Sequence, residues 1–261
     1  MKGMAWLLSV VTLSVAWTGV NAETFKTIRF GVEPSYPPFE SKAPDGKLVG
    51  FDIDLGEAIC AKLHAKCVWV ENTFDGMIPA LEARKFDAIN SSMSVNEKRL
   101  KQIDFTDKLY HPAARLVVRV PSTLLTTPES LHGKRVGVQQ GTTMEAYAKT
   151  YWVPKGIDVV SYATQDQVWA DLTSGRLDAA LCVAVQADQG FLKTPQGRDF
   201  GFAKGPTLND PAIFGVGISI GVRKDDPALR DALNGAIRQI RADGTYDRIA
   251  KKYFSFDIYG G

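Results

Sequence analysis

Short apolar, β-branched runs alternate with amphipathic helical stretches along this chain, and the alternation runs through twice. The first pass reads as a strand over 27–33 (TIRFGVE), a turn rich in Pro and aromatics, a helix near 53–65 and a strand over 67–71. A helix near 75–84, a strand over 86–90 (FDAIN) and a helix near 96–102 complete it. The second pass opens at LHGKRVGVQ (131–139) and continues through a helix at MEAYAKTYW, strand VVSY, a helix over 165–174 and strand LDAALCVAV (177–185). Strand–helix–strand succession returns each strand in the same direction, so the expectation is two mostly parallel sheets flanked by helices. After GVGISIGVRK (215–224) come two helices, near 226–242 and 244–252, with no further such unit. They are expected to complete the first sheet. Two lobes joined by two crossings leave a cleft lined by the carboxyl ends of strands.

Charge excludes one broad class. Across 261 residues, 31 Lys and Arg face 29 Asp and Glu, a formal net charge of +2. No broad basic face of the kind nucleic-acid binders carry is expected. The N-terminus supplies the compartment. Residues 1–22 read as a cleavable secretory signal: Lys2, an uncharged apolar stretch over 5–17, then Val20-Asn21-Ala22 as the cleavage site. That stretch is shorter than the roughly 20 residues a bilayer span needs, and no later run is apolar enough to cross a membrane. Export permits disulfides. Cys60 lies in a helical pattern and Cys67 opens a strand, so a bridge would fasten the helix end to the next strand, contributing about 2.5 kcal/mol by loop-closure entropy. Two unrelated buried thiols are the alternative, and Cys182 in LCVAV reads as a buried core thiol.

Three strand ends concentrate polar and aromatic groups: Glu33-Pro34-Ser35-Tyr36-Pro37-Pro38-Phe39, Asn90-Ser91-Ser92-Met93-Ser94 followed by Arg99, and Gln139-Gln140-Gly141-Thr142-Thr143. Hydroxyls, free N–H groups at helix starts and one guanidinium make a carboxylate cradle. Singly, each motif reads as well as a turn or an N-cap; their recurrence at equivalent strand ends favours a site. Tyr36 and Phe74 offer flat faces to a cationic side chain, and Glu33 a counter-ion. Catalytic motifs are poor. His64, His111 and His132 are scattered without metal-ligand spacing, and no phosphate loop occurs.

Taken together, GFDIDLGEAIC, DGMIPAL, FDAINSSMSVNEKR, IDFTDKLY, GKRVGVQQGTT, DLTSGRLDAAL, GFLKTP, RADGTYDRIAKKYF and the terminal FDIYGG resemble the periplasmic amino-acid-binding proteins of bacterial ABC importers. These are the family 3 solute-binding proteins, and the resemblance is closest to the histidine-binding and lysine/arginine/ornithine-binding members. It implies a two-lobed type II periplasmic-binding-protein fold. Lobe 1 would span 23–110 and 218–261, lobe 2 would span 113–212, and the hinge crossings would lie near 110–113 and 212–218. It implies a monomer that captures a basic amino acid in the cleft and hands it to an inner-membrane ABC permease, in the periplasm of a Gram-negative bacterium. It implies no catalysis, cofactor, metal or nucleic acid.

By the same analogy Arg99 binds the α-carboxylate with the backbone at Ser94 and Thr143, and Ser92 and Ser94 hold the α-amino group. Tyr36 and Phe74 enclose the side chain, Ser91 and Glu33 stand at its polar end, and Gln139, Thr142 and Met144 complete the pocket. Cys60 and Cys67 fall where those members have their disulfide. One position departs: the family's Asp for the α-ammonium falls on Val183. Asp188 could compensate, or the ligand could be an opine or another N-substituted amino acid. A dehydratase-like enzyme on the same fold is the alternative from another class, with Glu33 as its main acid.

Overall fold

In the computed structural model, which describes residues 25–260, the double alternation becomes two five-stranded sheets. The signal segment expected over 1–22 lies outside the described residues. The chain opens with β1 (Thr27–Val32) and a small antiparallel sheet of β2 (Ser35–Tyr36), β3 (Glu40–Lys42) and β4 (Leu48–Val49). Next come α1 (Phe51–Lys62), β5 (Lys66–Glu71), a 3₁₀ turn leading into α2 (Met77–Glu82), β6 (Ala88–Ile89), α3 (Glu97–Leu100) and β7 (Asp104–Phe105). The second half runs β8 (Ala114–Arg119), α4 (Pro128–Leu131), β9 (Arg135–Gln139), α5 (Thr143–Tyr151), β10 (Asp158–Tyr162) and α6 (Gln165–Thr173). It ends with β11 (Ala179–Val183), α7 (Ala184–Ala187), β12 (Phe200–Phe202) and α8 (Pro211–Phe214). The return is β13 (Gly221–Val222), α9 (Pro227–Ala242) and α10 (Thr245–Tyr253).

The first sheet is ordered β5-β1-β6-β13-β7 and the second β10-β9-β11-β8-β12. In each, three parallel strands are followed by two antiparallel pairings, so four of the five strands run one way, as expected, and only β13 in the first sheet and β8 in the second are reversed. The reason is the crossings. β8 and β13 each follow a passage from the other half without a crossover helix, and so enter their sheets running the opposite way. The two passages pair with each other: Leu109 N–H donates to the Ile218 carbonyl and Ile218 N–H to the Tyr110 carbonyl, both at 2.7 Å.

α9 buries Leu229, Leu233, Ala236, Ile237 and Ile240, one helical face, and packs with α10 on α1. The C-terminal helices thus cover the first sheet. Phe51 at the start of α1 centres an aromatic cluster, edge-on to Tyr110 at 5.4 Å and Phe254 at 4.9 Å. Cys60 and Cys67 are bridged, joining α1 to β5, while Cys182 is free and buried. The strand expected over 177–185 stops at Val183, because Ala184 and Val185 already belong to α7.

Candidate functional site

The cavity between the sheets is built from strand ends. Glu33 follows β1, and its N–H donates to Ser91 Oγ at 3.0 Å, tying that end to the loop after β6. The Glu33 side chain is buried and accepts from Ser35 Oγ and, across the cleft, from Gln139 Nε2 at 2.7 Å. Burial raises its pKa, and the two hydrogen bonds oppose the rise.

Arg99 stands on α3, whose cap Asn96 accepts from the Arg99 N–H at 3.0 Å. Its guanidinium, in a residue only 8% exposed, donates to the Ser94 carbonyl at 2.7 Å and to the Gly141 carbonyl of the other half at 3.0 Å. The guanidinium carbon lies 5.5 Å from the centre of the Phe74 ring. Desolvation lowers its pKa to about 10, so it stays charged at neutral pH, and no carboxylate pairs with it among the described residues. A buried cation held only by carbonyl dipoles is an incomplete ion pair.

From the second half, Gln139 closes β9 and Thr142 caps α5, accepting from the Glu145 N–H at 3.2 Å and donating to the Gln139 carbonyl at 2.7 Å. Gly141 has φ +76°, and a Cβ there would come 2.8 Å from the Asp75 Cα of the first half. Only glycine suits both the turn and the approach.

The residues assigned to the pocket from the sequence all line this one cavity. Glu33, Tyr36, Phe74, Ser91, Ser92, Ser94 and Arg99 come from the first half, and Gln139, Thr142 and Thr143 from the second. Met144 and Val183 join them. Asp188 does not: it pairs with Lys193 at 2.5 Å.

Behind the serines lies a feature that sequence reasoning missed. Glu40 and Asp52 are both buried and face one another. Ser91 Oγ donates to Glu40 at 2.9 Å, while the Ser92 N–H and the Tyr110 hydroxyl donate to Asp52 at 2.8 and 3.0 Å. Ser92 itself has φ +49°, a left-handed conformation uncommon for a residue with a side chain, and these bonds hold it there. Burial is the leading cause that raises both carboxyls, Glu40 well above the ordinary range and Asp52 to about 6, and the Asp52 charge adds to the rise at Glu40. The available signal was Asp52 on the apolar face of α1, in register with Leu55 and Ile59. Glu40 and Tyr110 line the cavity too, as does Phe39, which stacks on Tyr110 at 5.1 Å.

The arrangement offers a fixed cation, Arg99, beside the Phe74 ring, together with a carboxylate, Glu33, a second aromatic face, Tyr36, and several hydroxyls. Comparisons with known proteins give the family. The family model described as bacterial extracellular solute-binding proteins, family 3, matches residues 28–256. The histidine-binding periplasmic protein of Escherichia coli K12 is 51% identical over 261 residues, covering 100% of both chains. The lysine/arginine/ornithine-binding periplasmic protein of the same organism is 52% identical over 259 residues, covering 99% of each. Among solved structures, an ancestral arginine-binding protein bound to arginine superposes with a TM-score of 0.82 at 34% identity, covering 89% of this chain and 100% of its own.

Proposed function

We propose a function from one premise: the chain belongs to the bacterial extracellular solute-binding proteins, family 3. It captures a basic amino acid between its two halves in the periplasm and delivers it to a membrane permease complex, where ATP hydrolysis takes place. The observation that carries this reading is Arg99, a buried guanidinium without a carboxylate partner among the described residues, facing a cavity that otherwise has its charge at the Glu33 end. A ligand carboxylate on Arg99 and Thr143 completes that ion pair, with the ligand's side-chain cation between Tyr36 and Phe74 and directed to Glu33.

Closure follows from the same geometry. The halves are lobes that separate about the paired passages at Tyr110 and Ile218, with hinge crossings near 110–113 and 212–218. The ligand lands on the first lobe, which holds Arg99, Glu33 and both aromatic faces. The second lobe then swings in, making the Gln139–Glu33 and Arg99–Gly141 hydrogen bonds. Contacts present only in the closed form shift the population towards it, and closure presents both lobes to the permease in one fixed relation.

Calorimetry on residues 23–261 tests the reading with L-arginine, L-lysine, L-ornithine and L-histidine against L-glutamate and L-norleucine. The basic series is expected to bind in preference to the other two. Folded protein that binds no basic amino acid, or binds norleucine more tightly, overturns it.

A further inference from the structure

The cavity's charges do not match those of a free basic amino acid. Its lining holds one cation, Arg99, and two carboxyls, Glu33 and Glu40, both from the first half. Glu40 is already engaged with Ser91, Ser92 and Asp52. With the ligand carboxylate on Arg99 and the side-chain cation on Glu33, no carboxylate of the lining is left for an ammonium at the α-carbon. The second half offers Gln139, Thr142, Thr143, Met144 and Val183 there, all uncharged. A buried, unpaired ammonium is costly.

The wall at that end also has a particular form. Val183 ends β11 and sits at the N-cap of α7 with no side-chain cap, a position that Asp, Asn, Ser or Thr usually fills. Beyond it lies a second, open groove that shares Ser94, Pro112, Thr143, Met144 and Val183 with the cavity. Ser94 and Thr143 border Arg99's end of the cavity, so the groove begins where the ligand's α-carbon would lie. Farther out its lining includes Ala113, Leu208 and Phe214, with His111, Thr207 and Asn209 as its polar side chains and no Asp or Glu.

We propose that the preferred ligand is an Nα-acylated basic amino acid whose acyl group leaves the cavity past Val183 into this groove. The inference rests on the reading above and names its substrate class. Acylation fits where alkylation does not, because an alkylated amine remains protonated and would still need an anion. An amide nitrogen is neutral, and its acyl carbons suit a wall of Val183, Met144 and Pro112.

Calorimetry with L-arginine, Nα-acetyl-L-arginine and agmatine, which lacks the carboxylate, tests this directly on the wild-type chain. Nα-acetyl-L-arginine is expected to bind about tenfold or more tightly than L-arginine, with agmatine weaker than both. Val183→Asp should reverse the order of the first two by supplying an anion. Val183→Asn, which caps α7 without charge, should leave the order unchanged, and thermal melts of both variants report folding. Wild-type protein that binds L-arginine as tightly as its acetyl derivative overturns the inference and leaves the basic-amino-acid reading standing. Failure of both compounds to bind overturns that reading as well.

Discussion

The first half brings Arg99, Glu33 and Glu40 to the cavity, whereas the second, with the same strand order, brings Gln139, Thr142, Thr143, Met144 and Val183. The halves also differ in reinforcement. α1 and β5 of the first are joined by the Cys60–Cys67 bridge, while the cysteine of the second, Cys182, is a lone thiol pushed up by burial. One architecture has thus been equipped in two ways: a braced half that brings charge to the cavity, and a half whose share of the lining is uncharged. The difference teaches that repetition of a fold does not divide its chemistry evenly. Under the proposed function, charge discrimination belongs to the first half and retention to the second.

The sharpest test sets one charged residue of the first half against one neutral residue of the second. Arg99→Ala should weaken binding of a basic ligand on the order of 100-fold or more, since it leaves the ligand carboxylate buried without its partner. Thr143→Ala removes a single hydroxyl and should cost only a few-fold. Calorimetry on both variants decides it; equal losses would erase the distinction between the halves.

A second test concerns a property of the first half alone. Asp52 rises from its ordinary 3.8 to about 6, and Glu40 beside it is raised further by burial and by the Asp52 charge. The groups facing the pair are Ser91, Ser92 and Tyr110, with Glu33 adding a like charge. Carboxyls raised in the folded state contribute stability that is fully present at low pH and lost as pH climbs through the folded value. Relative to Asp52→Asn, the wild type should therefore lose on the order of 2 kcal/mol between about pH 4 and 7. Urea unfolding across that range measures it, and parallel curves for the two proteins would contradict it.

Much of this site is visible in the sequence because polar residues interrupt apolar strands where those strands end. SSMS after FDAIN and QQGTT after GKRVGV announce themselves in that way. The antiparallel strands do not. β8 is an apolar segment whose direction depends on arriving from the other half, and β12 is three residues long. Nor does the end of β11, where LCVAV is apolar throughout and Val183 gives no stop signal, so strand and helix read alike. The Glu40–Asp52 pair needs tertiary structure, because the two residues belong to different local patterns and meet only when β3 lies beside α1. The contacts that close the cleft, Gln139 to Glu33 and Arg99 to Gly141, join segments 106 and 42 residues apart.

The smallest expected effect bears most directly on how the halves divide their work. Gln139→Ala removes the donor to Glu33 Oε2 without touching a charge. The lost bond is worth about 1 kcal/mol, or several-fold in affinity. If the first half captures and the second retains, nearly all of that loss belongs to dissociation, because the ligand is already seated on Arg99 and Glu33 before Gln139 arrives. Stopped-flow fluorescence should therefore show an unchanged association rate and a several-fold faster release. A slower association with unchanged release would mean that Gln139 acts at capture, and both halves would then have to be counted as parts of the landing surface.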